Sequence, residues 1–246
     1  EKGHAAVQKA LLNKSIKLCL WCCLLFIAIP FGIYFTAFLP LTTLPHNRYN
    51  VFGRFIAYQT HMYNYHSTLQ ATHPFESPWY QWPFDIRNVW YYGNYSADSE
   101  GHIRTISVLG NPLFFWACVP ATVYAFVRAV KRHSRTALIC VIGFLSAYLP
   151  WVLVPRCTFI YHYFTAVPFI LIAFLIAYQR LEKTASLRRV VFTKGAVTLT
   201  VGRILLLACV LVHILMFIAF YPVLTGTLTT QNYANALEWL PSWFFI

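Results

Sequence analysis

The chain has 246 residues, of which 59% are hydrophobic, 18% aromatic and only 11% charged, and its mean hydropathy is +0.55. A soluble domain of this size carries about a quarter charged residues, so one water-facing core is excluded and burial in a bilayer takes its place. The net charge of +12 does not indicate nucleic acid as a partner, because no water-facing basic domain with stacking aromatics accompanies it.

A helix needs roughly 20 mostly apolar residues to cross a membrane, and five stretches qualify. A basic segment, 1–17, precedes the first span, 18–39. The others are 112–130, 137–154, 159–178 and 204–224, and none of the five holds an Asp or Glu. Pro30, Pro120, Pro150 and Pro168 fall in or near span ends, where neighbouring helices can satisfy the freed carbonyls. The first span is too long for a cleaved leader and lacks a small-residue cleavage site after it.

Between spans one and two lies a long segment, 41–111. It holds five of the nine histidines (His46, His61, His66, His73, His102) and four of the seven acids (Glu76, Asp85, Asp98, Glu100). Long ordered connections in compact proteins are usually functional. From Tyr49 to Leu69, apolar Val51, Phe52, Phe55, Ile56, Met62, Tyr63 and Leu69 recur at helical spacing between Arg54, Gln59, Asn64 and Gln70. That pattern predicts an amphipathic helix lying on the membrane surface, with His61 and His66 on its polar face rather than bound to metal.

A proline- and aromatic-rich run follows, from His73 through Trp79 and Trp82 to Pro83, then Arg87 and Trp90-Tyr91-Tyr92. The prolines hold an extended path. The aromatics suit either an interfacial anchor belt or a surface that binds sugar or lipid headgroups. Asn94-Tyr95-Ser96 is an N-glycosylation sequon. Beyond span five, 225–246 is expected to be an external tail.

Orientation follows from the basic residues, since short cytoplasmic loops collect Lys and Arg. Lys2, Lys9, Lys14 and Lys17 precede span one; Arg128, Lys131, Arg132 and Arg135 flank the second turn; Arg180, Lys183, Arg188, Arg189, Lys194 and Arg203 fill the fourth connection. These alternate correctly with a cytoplasmic amino end and an external 41–111, Arg156 turn and tail. Six of the seven cysteines fall within spans, where Cys is a small hydrophobe, and Cys157 has no evident external partner. Neither a disulfide framework nor a metal site is expected.

The run HPFESPWYQWPFDIRNVWYY, then ISVLGNPLFFW, then YLPWVLVPRCTFIYHYFTAVPF resembles the carboxy-terminal membrane region of protein O-mannosyltransferases. It is similar more broadly to bacterial phospholipid-carrier-dependent glycosyltransferases of the GT-C type. The resemblance covers roughly residues 18–224 and implies an all-α polytopic helical bundle. It also implies an enzyme that moves a hexose, mannose by family habit, from a polyprenyl or dolichyl phosphate to Ser or Thr of exported proteins. No cofactor or metal is implied, since the lipid phosphate is the leaving group. In that family a carboxylate in the first external loop near the amino terminus acts as general base. That loop is not in this sequence, so the catalytic residue is unknown and the missing amino-terminal half is an expected partner, with membrane lipid, lipid-linked donor and acceptor protein. The wording of the blocks points to a bacterial cell membrane, or to the endoplasmic reticulum if the source is a eukaryote.

A leaving phosphate calls for a positive group at headgroup depth. Arg156 is the first candidate for it, because Arg meets phosphate oxygens bidentately; the alternative is that it snorkels to lipid. His162 and Tyr163, at the start of span four, are candidates as ionisable groups at membrane depth. Arg87 is a second phosphate or acceptor candidate, and His73, Glu76, Trp79 and Trp82 complete the expected substrate-binding set. Nothing in their spacing makes Glu76 and Asp85 an acid/base pair. His213, inside span five, is expected to pack neutral against a neighbouring helix carbonyl. The competing reading is a non-catalytic scaffold or accessory subunit. A transporter is disfavoured by the absence of internal repeats and mid-membrane carboxylates.

Overall fold

Apolar side chains without a carboxylate run from Val7 to Thr36 and form one long helical span. In the computed structural model, which describes residues 2–43, 49–95, 101–195 and 197–246, this span belongs to the first of two compact units, Glu1–Leu69 and Gln70–Ile246. It comprises α1 (Lys2–Cys23), one π turn (Leu24–Ala28) and α2 (Ile29–Thr36). Pro30 explains the π turn: it lacks an N–H and its ring crowds the preceding carbonyls, so the helix widens and Ile29 N–H reaches back to the Leu24 carbonyl. The basic residues before the span are therefore carried on helix continuous with it from Lys2 onward.

The amphipathic pattern forms a helix, α3 (Val51–Thr68), started by the Asn50 side chain accepting from Gly53 N–H at 2.8 Å. Its apolar face divides in two. Phe55, buried, packs edge-on among Phe31, Tyr34, Phe35 and Phe38 of the first span, and Gln59 Nε2 donates to Tyr34 Oη at 2.9 Å. Phe52, Ile56 and Tyr63, on a separate stripe, remain exposed. His61 and His66 share stacking and edge contacts with Tyr65.

The second unit contains four spans: Pro112–Arg132, Arg135–Leu153, Ile160–Leu181 and Val201–Thr225. Their helices are α4 (Pro112–Arg132), α5 (Arg135–Tyr148), α6 (Val167–Leu181) and α8 (Val201–Thr225). Asn111 caps α4, with Pro112 pre-set for its first turn. His133 ends it in the left-handed region and Ser134 at once caps α5, so two residues turn the chain through an antiparallel hairpin. Prolines shape the next two spans: α5 tightens into a 3-10 turn at Leu149–Leu153 around Pro150, and α6 is preceded by another, Ile160–Ala166, with Pro168 in its first turn. Gly143 lets α5 and α6 touch. A Cβ there would sit 2.1 Å from the Phe169 ring, and nearby Cys140 Sγ donates to the Phe169 carbonyl.

The connection to α8 carries a short helix, α7 (Ala185–Arg188), and an antiparallel pair, β3 (Val190–Lys194) and β4 (Val197–Thr200). At the opposite end of the bundle a small sheet departs from the expected all-helical pattern without changing the helical class. β1 (Val89–Asn94) pairs antiparallel with β2 (His102–Val108), and β5 (Thr229–Thr230) pairs with β2 from the other side. After α8 ends at Gly226 (φ 73°), the carboxy-terminal stretch folds back as β5 and α9 (Gln231–Ala236). It buries Trp243 and Phe245 against Phe220 and Val223 of α8 and Ile103 of β2. His46, Asp98, Glu100 and the serine of the sequon, Ser96, lie outside the described residues.

Candidate functional site

The three sequence blocks, distant along the chain, are tied together at the sheet end of the second unit. Ser77 N–H donates to the Thr158 carbonyl at 2.8 Å, and Thr158 Oγ1 returns a bond to the Ser77 carbonyl at 2.9 Å. Trp116 Nε1 of the second block reaches the Phe84 carbonyl at 2.7 Å, and Gly110 N–H donates to Asp85 Oδ1 at 3.1 Å. Trp82, fully buried in the middle, donates to both the carbonyl and the hydroxyl of Ser77 and packs against Tyr148, Trp151 and His162. The 3-10 turn that carries it (Trp79–Phe84) contains Pro83 and ends with Asp85 in the left-handed region. Trp82 is thus a core residue and not part of an interfacial belt.

The other expected site residues divide between surface and frame. Arg156 is half-buried in the turn before the Ile160–Ala166 helix and lies close enough to Tyr161 and His162 to interact electrostatically with both. His162 is half-buried, bonded through Nδ1 to the Phe159 backbone, and meets the rings of Trp151, 4.0 Å between centroids, and Trp82. Tyr163 is buried against Phe115, Phe144 and Tyr148, which removes it from the surface that Arg156 occupies. Trp79 receives the Tyr148 hydroxyl on its carbonyl at 2.8 Å. Arg87 Nη1 donates to the Pro74 carbonyl at 2.9 Å, stapling the start of the block to the start of β1. Glu76 Oε2 accepts from His73 N–H, and the exposed His73 ring sits edge-on to Phe159. Glu76 and Asp85 therefore each serve a backbone amide. His213 bonds the Cys209 carbonyl of its own helix, not of a neighbour. All seven cysteines are free, and among the described residues no three His, Cys, Asp or Glu side chains gather as a metal site.

Asp85 carries the sharpest electrostatics. It is fully buried, its Oδ2 has no hydrogen-bond partner, and burial pushes its pKa from 3.8 up to about 7 against the pull of the Gly110 N–H. Around it the carboxy-terminal segment closes the platform. Trp243 Nε1 donates to the Asp85 carbonyl at 2.7 Å, the Ser242 hydroxyl to the Ile86 carbonyl, and Phe244 N–H to Asn88 Oδ1 at 2.9 Å. Sequence reasoning overlooked Asn88, Ser242 and Trp243. The signal available was the aromatic density of Trp239-Leu240-Pro241-Ser242-Trp243-Phe244-Phe245, too rich for a solvated tail.

Beneath this platform an apolar cavity of about 510 Å³ runs from Trp79, Tyr80 and Phe84 past Val123 and Phe126 to Val127, with Tyr148 and Tyr163 on its wall. It joins the Trp79–Phe84 turn to the flank of α4, with the form of a slot for a hydrocarbon chain below a polar surface.

Comparison with known proteins agrees with this layout. A curated relative, the polyprenol-phosphate-mannose–protein mannosyltransferase of Mycolicibacterium smegmatis, is 26% identical over 87% of this chain and 45% of its own length. The Mycobacterium tuberculosis protein of the same name is 25% identical over 76% of this chain and 36% of its own. This chain thus spans less than half the length of these relatives. A solved structure described as the Saccharomyces cerevisiae protein O-mannosyltransferase Pmt1-Pmt2 complex bound to the sugar donor shares the fold. It has a TM-score of 0.62 at 21% identity and covers 82% of this chain and 28% of that one. The family described as the C-terminal four-TMM region of protein-O-mannosyltransferase matches residues 51–243, which leaves the first span outside it and takes the carboxy-terminal segment in. With three blocks knitted on one end of a four-span bundle and a family match across most of its length, the chain belongs to the protein O-mannosyltransferase family, as its C-terminal membrane region.

Proposed function

We propose that this chain supplies the donor-binding, carboxy-terminal part of an enzyme that transfers mannose from a polyprenyl or dolichyl phosphate carrier to Ser or Thr of an exported protein. The observation that carries the reading is the pairing of a built polar platform, Arg156 on its surface, with the apolar cavity beneath it. In this reading the carrier's hydrocarbon lies along Trp79, Phe126 and Val127, and the phosphate meets Arg156. Arg156 would draw off charge as the sugar–phosphate bond breaks, while His162, packed against Trp82 and Trp151 and bonded to the Phe159 backbone, keeps the Arg156 turn in register. The general base is assigned to no carboxylate here, because Glu76 and Asp85 are committed to backbone amides. No metal is required for the step.

We place the amino end in the cytoplasm and the sheet end outside, in a bacterial cell membrane, supported by the basic residues gathered at the opposite end and by relatives in mycobacteria. In a cysteine-free background, Tyr80→Cys should be labelled by an impermeant reagent in intact cells and Lys194→Cys only after permeabilisation; the reverse would invert the topology. Both positions are exposed. In the complete enzyme, Arg156→Ala should lower use of the lipid-linked donor at least about tenfold, the scale of one lost charge-assisted contact. Lys131→Ala should change it little, and equal effects would remove Arg156 from the site.

A further inference from the structure

The end of the bundle remote from the sheet contains a second arrangement that the transfer reaction does not use. Helices α4 and α6 end around a cavity of about 690 Å³. Its lining carries five cations, Arg128, Lys131, Arg132, Arg180 and Lys183, and no carboxylate. The one nearby acid in sequence, Glu182, is not part of this lining; its side chain lies beside Gly202 of α8 and within reach of the Tyr178 hydroxyl. Helix C-termini attract cations, which accounts for Lys131, Arg132 and Arg180 in the last turns. It accounts neither for the hollow nor for Arg128 a turn deeper, whose Nε is buried without a hydrogen-bond partner. A half-buried guanidinium with no carboxylate in the lining is costly to hold, and an anion in the cavity, meeting its outer nitrogens, would offset that charge.

A further cavity of about 330 Å³ lies between the same two helices, lined by apolar residues including Ala117, Pro120, Ala121, Phe174 and Ala177. Tyr124 and Arg180 line both cavities. Ala117, Ala121, Tyr124 and Arg128 fall at spacings of four, three and four, one stripe of α4, so a charged chamber and an apolar one follow a single helix face. The small side chains at Ala117, Ala121 and Ala177 leave the apolar chamber open, and Ala117 stands about 10 Å along the axis from Tyr124.

We propose that this pair of cavities binds one anionic phospholipid, its phosphate held by Arg128 and Arg180 and one acyl chain lying along Ala117 to Tyr124. Charge complementarity selects the headgroup: guanidinium forks match phosphate oxygens, and basic pockets between membrane helices hold anionic headgroups. A free phosphate would leave the apolar chamber empty, and an uncharged chain would leave the cations unanswered. The site depends on these helices spanning a membrane and not on the transfer chemistry at the other end.

The test uses the complete protein in a neutral detergent, titrated with phosphatidylglycerol or phosphatidylcholine and read by native mass spectrometry. One phosphatidylglycerol should be retained and phosphatidylcholine should not, and millimolar inorganic phosphate should fail to displace it. R180Q/K183Q, at exposed positions where folding is safe, should weaken retention at least about tenfold. R188Q/R189Q, equally exposed on the same side but outside the cavity, should not. Ala117→Leu should weaken long-chain lipid more than a dihexanoyl analogue. Equal effects of the two charge pairs would overturn the proposal. So would displacement by inorganic phosphate, which would assign the cavity to the free ion, or failure of the unmutated protein to retain the lipid, which would assign it to another part of the protein.

Discussion

The two ends of the four-span bundle are built on opposite principles. At the sheet end nearly every polar group is spoken for: Trp82 bonds to the nearby Ser77 backbone, and Trp116, Tyr148, Thr158, Asn88 and Trp243 bond to backbone far along the chain. At the far end five cations face a hollow with no acid among them. The first is a rigid platform, where side-chain rotamers are locked and a surface such as that around Arg156 is held in place. The second is open and electrostatic, suited to a partner that arrives from the membrane. Positional precision, which chemistry needs, is concentrated where the hydrogen bonds are.

Predictions can break this contrast at graded strength. Trp82→Ala removes a fully buried indole and two hydrogen bonds and should cost about 3–5 kcal/mol, read as a large fall in Tm or in folded yield. Arg132→Ala at the open end should be near neutral, and a comparable loss there would erase the distinction. Asp85 gives a pH signature. Its folded pKa of about 7 lies above the unfolded 3.8, so the native state keeps a proton that the unfolded chain has released. Stability from this residue is full below about pH 4, declines as pH rises to about 7 and is level above. Asp85→Asn should flatten Tm against pH over that window, and an unchanged slope would show that the carboxylate is solvated. Thr158→Val breaks one tie between the blocks and should cost about 1 kcal/mol. The smallest effect expected is none: chelating divalent metal should leave transfer by the complete enzyme intact, and strong inhibition would return the histidines to the site.

Much of this was legible in the sequence. The five spans stood out because hydropathy over 20 residues is a local signal, and α3 because its period is local too. The block residues were recognisable as a set, but their roles were not. Trp82 and Tyr163 read equally well as surface aromatics, and only the packing around Tyr148 and Phe115 makes them core. The third strand was missed because its pairing is long-range: β2 meets β5 across Ile103 and Thr229, and no periodicity links residues so far apart. Tyr91, Tyr92 and Gly93 in β1 also read as interface or turn. The carboxy-terminal segment was missed for the same reason, since Asn88 finds its partner only at Phe244.

That last pairing has a consequence for how the protein is made. The β1–β2 hairpin leaves the ribosome before its third strand and the Trp243–Phe245 cover, which follow only after the four helices α4, α5, α6 and α8 have been threaded into the bilayer. Until then Asp85, Asn88 and Ser107 have no lid, and such non-local closure is slow. Completion of the sheet end therefore reports that α8 has been inserted the right way round. An inverted α8 would leave the cover on the wrong side of the membrane, and the unfinished hairpin would be open to quality-control proteases.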